Sequence, residues 1–426
     1  MSKLTARPGN DLTGIAAIPG DKSCSHRALI LGAMAEGESV ITNLNSAEDV
    51  MRTMRAVKAF GAVVEQDGEQ WRMRGAKWRT PDGPIDCGNS GTTARLLIGA
   101  VAGMAGVSAS FVGDASLTAR PMRRLVAPLI RMGAMIEGGD TLPLTAHGAR
   151  LGGIDFTSIP ASAQVKSAIL LAGLSGSSPV RVAEPVASRN HTEIMLGEFG
   201  CIVEAVNGGI ALGAERELAA CAITIGTDPS AAAFALTAAA IIPGSSVTVR
   251  DMLVNPLRTG LFEVLEEMGA AVALANERIV SGEILADLTI GHGRLQGVTV
   301  AAERIPAMID EIPALAVAAA MADGETVIHG LAELRVKESD RLGATLAGLI
   351  ACGVTALADG DTLRIFGRGS ARGGWVLAHG DHRIAMAFLT LGLAADGPVS
   401  VDDGAMIATS FPDFVDSMRG LGADIG

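Results

Sequence analysis

The residues best suited to chemistry are cations set beside hydroxyls and glycines. PGDKSCSHRALIL places Lys22, Ser23 and Arg27 around the start of an apolar helix, expected shortly after Arg27. Free backbone N–H groups and the helix dipole favour an anion at such a start. Ser23 and Arg27 are four apart, so on a helix they share a face. In DCGNSGTTARLLIGAVAG, the small residues Gly88, Asn89, Ser90, Gly91 and Thr92 form a turn that lets backbone approach an oxyanion. GDASLTARPMRRL sets Arg120 before Pro121, which biases it towards an extended conformation ahead of a helix. Arg123 and Arg124 read as ordinary helix-surface charges. SAQVKSAIL adds Ser162, Gln164 and Lys166, and EPVASRNHTE adds Arg189.

The densest cluster is LAELRVKESDRLGATL, with Arg335, Lys337, Glu338, Asp340 and Arg341 in seven residues. At helical spacing Lys337 and Glu338 would both neighbour Arg341, setting an acid beside two cations. HGDHRIAM supplies His382 and Arg383, and AAERIPAMIDEIPALAVAAA puts Asp310 and Glu311 at the edge of a very apolar run. Burial there would raise a carboxylate pKa. A metal site from His379, Asp381 and His382 finds no supporting ligand cluster elsewhere. Cys24, with no histidine in a Cys–His arrangement, reads as a packing residue. There is no phosphate-binding GxxxxGK[ST] loop and no carboxylate array for magnesium. The cations therefore suit a phosphorylated carboxylic acid better than a nucleoside triphosphate.

These residues need a scaffold, and composition limits which. The chain has 426 residues, enough for two or three domains, and 49% are hydrophobic, ample for real cores. Aromatics are 3%, with no Tyr, too few for a groove that stacks single-stranded bases. A net charge of −12 disfavours duplex DNA and anionic membrane surfaces alike. Five scattered cysteines form neither a disulfide framework nor a zinc motif, which fits a reducing, cytoplasmic setting. No signal peptide is apparent at the N-terminus. The most apolar stretches, Leu96–Val107 and Ala231–Ile242, are too short to span a bilayer and read as buried helices.

A helix pattern ending in Gly and followed by a strand-like run recurs six times. The glycines are Gly61, Gly133, Gly200, Gly269, Gly353 and Gly422, spaced 72, 67, 69, 84 and 69 apart. Such a period suits a small α/β unit. Three units precede a changeover at ITIGTDPSAAAFAL, where Asp228 or Ser230 would cap an Ala-rich helix, and three follow it. The first strand is expected to join the second half. The domains would then be 21–228 and 1–20 plus 229–426, joined by two crossings.

PGDKSCSHR, GNSGTTAR, LTARPM, SAQVKSA, LRVKESDR and DHRIAM, in this order, resemble the 5-enolpyruvylshikimate-3-phosphate (EPSP) synthase family, closer to its class II bacterial members. The resemblance runs from about residue 15 to the C-terminus. It implies an α/β enolpyruvyl transferase fold of two domains, each of three βαβαββ units, that close on substrate. It also implies transfer of the enolpyruvyl group of phosphoenolpyruvate to the 5-hydroxyl of shikimate 3-phosphate, with release of phosphate. Lys22, Ser23, Arg27, Ser162, Ala163, Gln164, Arg189, Asp310 and Lys337 would contact shikimate 3-phosphate. Lys22, Gly91, Arg120, Gln164, Arg341 and Arg383 would hold phosphoenolpyruvate. Asp310 would take the hydroxyl proton, with Glu338, Lys337 and Lys22 assisting catalysis. The family's inhibitor, glyphosate, would share the phosphoenolpyruvate site. No cofactor or metal is implied, and a monomer is expected. The positions near Arg189, Leu96 and Ala408–Ser410 depart from class I. The alternative is UDP-N-acetylglucosamine enolpyruvyl transfer, although GDASLTARP lacks the Cys typical of that loop.

Overall fold

The computed structural model describes residues 3–426. They form six four-stranded sheets, and one strand order repeats in all of them. In the sheet of Ile85–Asp86, Ser108–Val112, Met135–Gly138 and Leu144–His147, the first strand runs parallel to the second. The fourth pairs antiparallel with both second and third, giving the order 1-2-4-3. Between first and second strands lies a buried helix, and between second and third an amphipathic one. Each sheet thus belongs to one βαβαββ unit.

Three units borrow a strand from far along the chain. Ala222–Thr224 pairs in parallel with Glu38–Thr42 and opens the first sheet. Leu4–Arg7 closes the last, pairing with Val399–Val401 and Asp424–Ile425. Thr13–Ile15 opens the fourth beside Ser246–Leu253. Residues Gly20–Ile225 with Val280–Glu283 form one compact unit. Residues 3–19, Gly226–Ile279 and Ile284–Gly426 form the other.

The six repeat glycines all have positive φ, between 78° and 115°, and sit at or just past the ends of the amphipathic helices. That is the left-handed C-terminal cap only glycine adopts cheaply. Gly20 answers a different need. A Cβ there would stand 1.9 Å from the Asn43 carbonyl oxygen, so backbone contact excludes any side chain.

The buried helices bring the site residues together. In the Gly20–Ile225 unit they are Lys22–Met34, Gly91–Ala102 and Ala163–Gly173. Ser90 and Ser162 cap the last two through their side chains, and Asp21 caps the first. The first helix begins at Lys22, five residues before Arg27, not after it. Lys22, Ser23 and Arg27 are helical because Asp21 accepts from the Cys24 amide at 2.7 Å, a side-chain cap that starts the helix early. The other unit buries Pro229–Ile241, Ile312–Ala320 and His382–Gly392, which are rich in Ala. Of the two candidate caps for the first of these, Asp228 serves, accepting from the Ser230 amide.

Helices Gly91–Ala102 and Ala163–Gly173 approach unusually closely. A Cβ on Gly99 would lie 2.5 Å from the Ala168 carbonyl oxygen, and one on Gly103 equally close to that of Ala172. Gly99→Ala should therefore destabilise the protein. Helix propensity returns about 1 kcal/mol, whereas forcing a methyl into a packed contact costs roughly 1–3 kcal/mol. Urea denaturation should show a lower midpoint. An unchanged midpoint would mean that the helices part without cost.

Candidate functional site

In the Gly20–Ile225 unit the helix starts carry a polar network. Lys22 donates to Asp49 at 2.9 Å. The Arg27 guanidinium is buried and binds the Ser23 carbonyl (2.9 Å), Thr192 (2.6 Å) and Ser167 (2.8 Å), joining three helices. Gln164 accepts from Arg95 at 2.7 Å and donates to Thr92 at 2.9 Å, fixing its amide across the close helix pair. Arg120 donates to Asn89 at 2.5 Å and to Ser116 at 3.2 Å. An ideal Cβ on Gly91 would stand 3.3 Å from the Arg120 guanidinium and 2.7 Å from that of Arg95. Glu184 accepts from the Ser162 amide (3.0 Å), the Ser188 hydroxyl and Lys166. It therefore fixes Ser188, the residue before Arg189. Lys166 also pairs with Glu193 at 2.8 Å, so its charge is held inside the unit.

The other unit holds a tighter cluster. Arg341 is 1% exposed and donates to Asp381 through Nε (2.8 Å) and to Asp310 through a terminal nitrogen (3.1 Å). It also forms an ion pair with Glu338. Lys337 reaches the same Asp310 oxygen at 3.3 Å. Arg383 donates to the Asp310 carbonyl at 3.1 Å and pairs with Glu311 at 3.5 Å. Glu311 accepts from Ser230, and Ser230 accepts from the buried Arg258, which also pairs with Asp228. Burial pulls the Arg341 pKa down, but the carboxylates of Asp381, Glu338 and Asp310 outweigh it and leave the pKa raised.

A family model described as EPSP synthase (3-phosphoshikimate 1-carboxyvinyltransferase) matches residues 6–418. A Caulobacter vibrioides protein named 3-phosphoshikimate 1-carboxyvinyltransferase is 49% identical, covering 100% of this chain and 99% of its own. One of the same name from Afipia carboxidovorans is 52% identical, covering 99% and 98%. The chain belongs to the EPSP synthase family. A solved EPSP synthase structure from Acinetobacter baumannii, 38% identical, superimposes with a TM-score of 0.88 over 100% of this chain and 99% of its own. An enolpyruvyl transferase from Streptomyces tendae, 20% identical, does so with a TM-score of 0.77 over 100% and 98%, which bears on the fold alone. These matches favour the EPSP synthase reading over UDP-N-acetylglucosamine transfer.

Against the EPSP synthase expectations, one physical premise changes. Helix Arg341–Ala351 begins at Arg341, capped by Asp340. Lys337 and Glu338 therefore lie in the preceding loop, not one helical turn before Arg341. Glu338 meets Arg341 through the loop's fold. Arg335 is exposed and pairs with Asp340, a surface contact. The apolar edge near Asp310 is also less simple than the sequence suggests. Asp310 sits between two cations, and its neighbour Glu311 is the more deeply buried, at 2% exposure.

Sequence reasoning missed Asp49, Arg95, Glu184, Arg258 and Asp381 as parts of the network. Asp381 carried a signal, an Asp directly before an apolar helix. Arg258 carried none, because its partner lies 30 residues away.

His26, wholly buried behind Lys22, shares a 2.7 Å hydrogen bond with Thr53. Burial holds its imidazole well below the ordinary range, and Lys22 and Arg27 add to the effect. The native state therefore keeps His26 neutral while the unfolded chain binds a proton near pH 6.5. Stability should be full above that pH and fall below it, by up to about 1.4 kcal/mol per pH unit for this one group. Denaturant melts from pH 7.5 to 5.5 should show that slope, and His26→Asn should remove it. An identical slope in the variant would exonerate His26.

Proposed function

We propose that this chain transfers the enolpyruvyl group of phosphoenolpyruvate to the 5-hydroxyl of shikimate 3-phosphate, releasing phosphate by addition and elimination. The observation that carries the reading is the sharing of one Asp310 oxygen by Lys337 and Arg341, with Glu338 on the same guanidinium. A base, an acid and two cations stand within one cluster, which is what the two half-reactions require. Membership of the EPSP synthase family supports the same activity.

Lys22, Ser23, Arg27, Ser162, Ala163, Gln164 and Arg189 hold shikimate 3-phosphate, with Asp310 and Lys337 at its 5-hydroxyl. Arg120, Arg341 and Arg383 clamp phosphoenolpyruvate through guanidinium forks that match carboxylate and phosphate. Lys22, Gln164 and Gly91 complete that pocket. The phosphoenolpyruvate carboxylate takes the place of Glu338 on Arg341, releasing the Glu338 carboxyl to act. Asp310 accepts the hydroxyl proton as the oxygen attacks C2 of phosphoenolpyruvate. Glu338, with Lys337, protonates the C3 methylene. Elimination reverses the second transfer: C3 loses a proton and the C2–O bond to phosphate breaks. A base at oxygen and an acid at carbon each contribute about 10²–10⁴-fold.

Asp310→Asn should lower kcat at least about 10²-fold, measured by phosphate release with both substrates. A fall of less than tenfold would move the base elsewhere. Should the wild type release phosphate with UDP-N-acetylglucosamine and not with shikimate 3-phosphate, the whole reading fails.

Glyphosate, longer than phosphoenolpyruvate, tests the placing of Gly91. A methyl there meets the end of Arg95, a flexible side chain that donates to Gln164, and so disturbs that hydrogen bond. We expect wild-type inhibition competitive with phosphoenolpyruvate. In Gly91→Ala, the glyphosate Ki should rise well beyond the KM for phosphoenolpyruvate. Equal changes in both would take Gly91 out of the inhibitor pocket.

A further inference from the structure

Beneath the helix start that carries Lys22 and Ser23 lies a second set of reactive groups that the proposed reaction does not use. One carboxylate oxygen of Asp21, the sulfur of Cys24 and a ring nitrogen of His191 all lie within 4.8 Å of one another. All three residues are buried, at 0%, 2% and 0% exposure. Thiolate, imidazole and carboxylate are the donor types of a zinc site. Donor atoms in a tetrahedral site, with Zn–S about 2.3 Å and Zn–N about 2.0 Å, stand roughly 3.5 Å apart. The pairwise separations therefore exceed that spacing by at most about 1.3 Å.

The surroundings distinguish this cluster from a chance grouping. His191 Nδ1 lies 2.6 Å from the Glu283 carboxylate, which is itself nearly buried. A metal-binding histidine typically donates its other ring N–H to such a carboxylate, which fixes the tautomer and raises the basicity of the ligating nitrogen. With Nδ1 turned to Glu283, Nε2 becomes the ligating atom. The Cys24 sulfur sits on the same helix as Arg27, one turn from it, and is buried. Asp21 gives Oδ1 to the cap of helix Lys22–Met34, so the ligand bond falls to its other oxygen.

We propose that Cys24 Sγ, His191 Nε2 and Asp21 Oδ2 bind a single zinc-class divalent cation, with Glu283 as the positioning carboxylate behind His191. Three protein ligands leave a fourth position for water or an anion. The thiolate and carboxylate together neutralise the dication, so it can sit close to Lys22 and Arg27. The site joins the cap of the first buried helix to the start of helix His191–Glu198. Occupancy would therefore lock two segments that otherwise meet through Arg27 and Thr192.

Cobalt(II) titration of the full-length, reduced, chelator-treated protein under anaerobic conditions tests this directly, whatever reaction the enzyme runs. One equivalent should produce a near-ultraviolet thiolate-to-cobalt charge-transfer band and the visible bands of a tetrahedral ion. Cys24→Ser should abolish the charge-transfer band. Glu283→Gln should weaken cobalt binding by about 10–100-fold, the usual scale for losing such a partner. In parallel, zinc should raise the wild-type Tm, with saturation at one equivalent, and leave that of Cys24→Ala unmoved. Absence of the charge-transfer band in the wild type, or its persistence in Cys24→Ser, would overturn the site. An unchanged affinity in Glu283→Gln would remove His191 Nε2 from the ligand set and refute the proposal as stated. If both Cys24 variants fail to fold, the wild-type band and Tm shift still decide, since a cobalt ion bound without thiolate would be a different site.

Discussion

Everything chemical in this chain depends on packing three helix starts together in each unit. Helix amino termini carry unsatisfied N–H groups and a partial positive charge, so crowding three of them is unfavourable unless negative groups enter. Small residues make the crowding possible: Gly99 and Gly103 against Ala168 and Ala172 in one unit, Ala-rich helices in the other. The crowding in turn demands anions. The fold therefore builds an anion requirement before any substrate is considered.

The two units meet that requirement differently. In the Gly20–Ile225 unit, Ser90 and Ser162 cap without charge, and the one acidic cap, Asp21, is tied to the Cys24 amide. In the other unit all three helix starts are acidic, Asp228, Glu311 and Asp381, and each has its own arginine. Arg258 pairs with Asp228, Arg383 with Glu311 and Arg341 with Asp381. A guanidinium has five donors, so an arginine fixed by one carboxylate keeps others for further partners. Arg341 uses them on Asp310 and Glu338. Asp228 and Asp381, which cap their helices, and Glu311, which stands at the start of its helix, thereby become the anchors that aim the cations.

Much of this was legible in the residues because it is local. The six glycine-ended helices follow from a cap that needs positive φ, and the spacing of those glycines revealed the repeat. Buried helices showed as apolar runs, and the Asp228 cap showed as Thr-Asp-Pro-Ser. What escaped depended on distance or on a competing local interaction. The Asp21 cap starts its helix before the apolar pattern does, so hydrophobic periodicity placed that start too late. Asp340 starts the Arg341 helix, which takes Lys337 and Glu338 out of helical register while leaving them beside Arg341. The Arg258–Asp228 and Arg95–Gln164 contacts join residues 30 and 69 apart, and no window of sequence shows them.

A census of cations also overstates what is on offer. Lys166 stands in a site motif, yet Glu184 and Glu193 hold it at 2.9 and 2.8 Å in a buried pair of bridges. Its work is structural: Glu184 also fixes the Ser162 amide and Ser188, so the lysine neutralises the carboxylate that shapes the loop. Removing such a partner strands a buried charge, a cost of roughly 3–5 kcal/mol. The same logic explains how an acidic chain can hold a cationic site. Its carboxylates are not spread evenly against the arginines; Asp228, Glu311 and Asp381, at the buried helix starts of one unit, are each bound to one. An anionic substrate would compete for guanidinium donors with carboxylates already in place. Exchange of one carboxylate for another at Arg341 costs far less than bringing an anion to a bare buried cation.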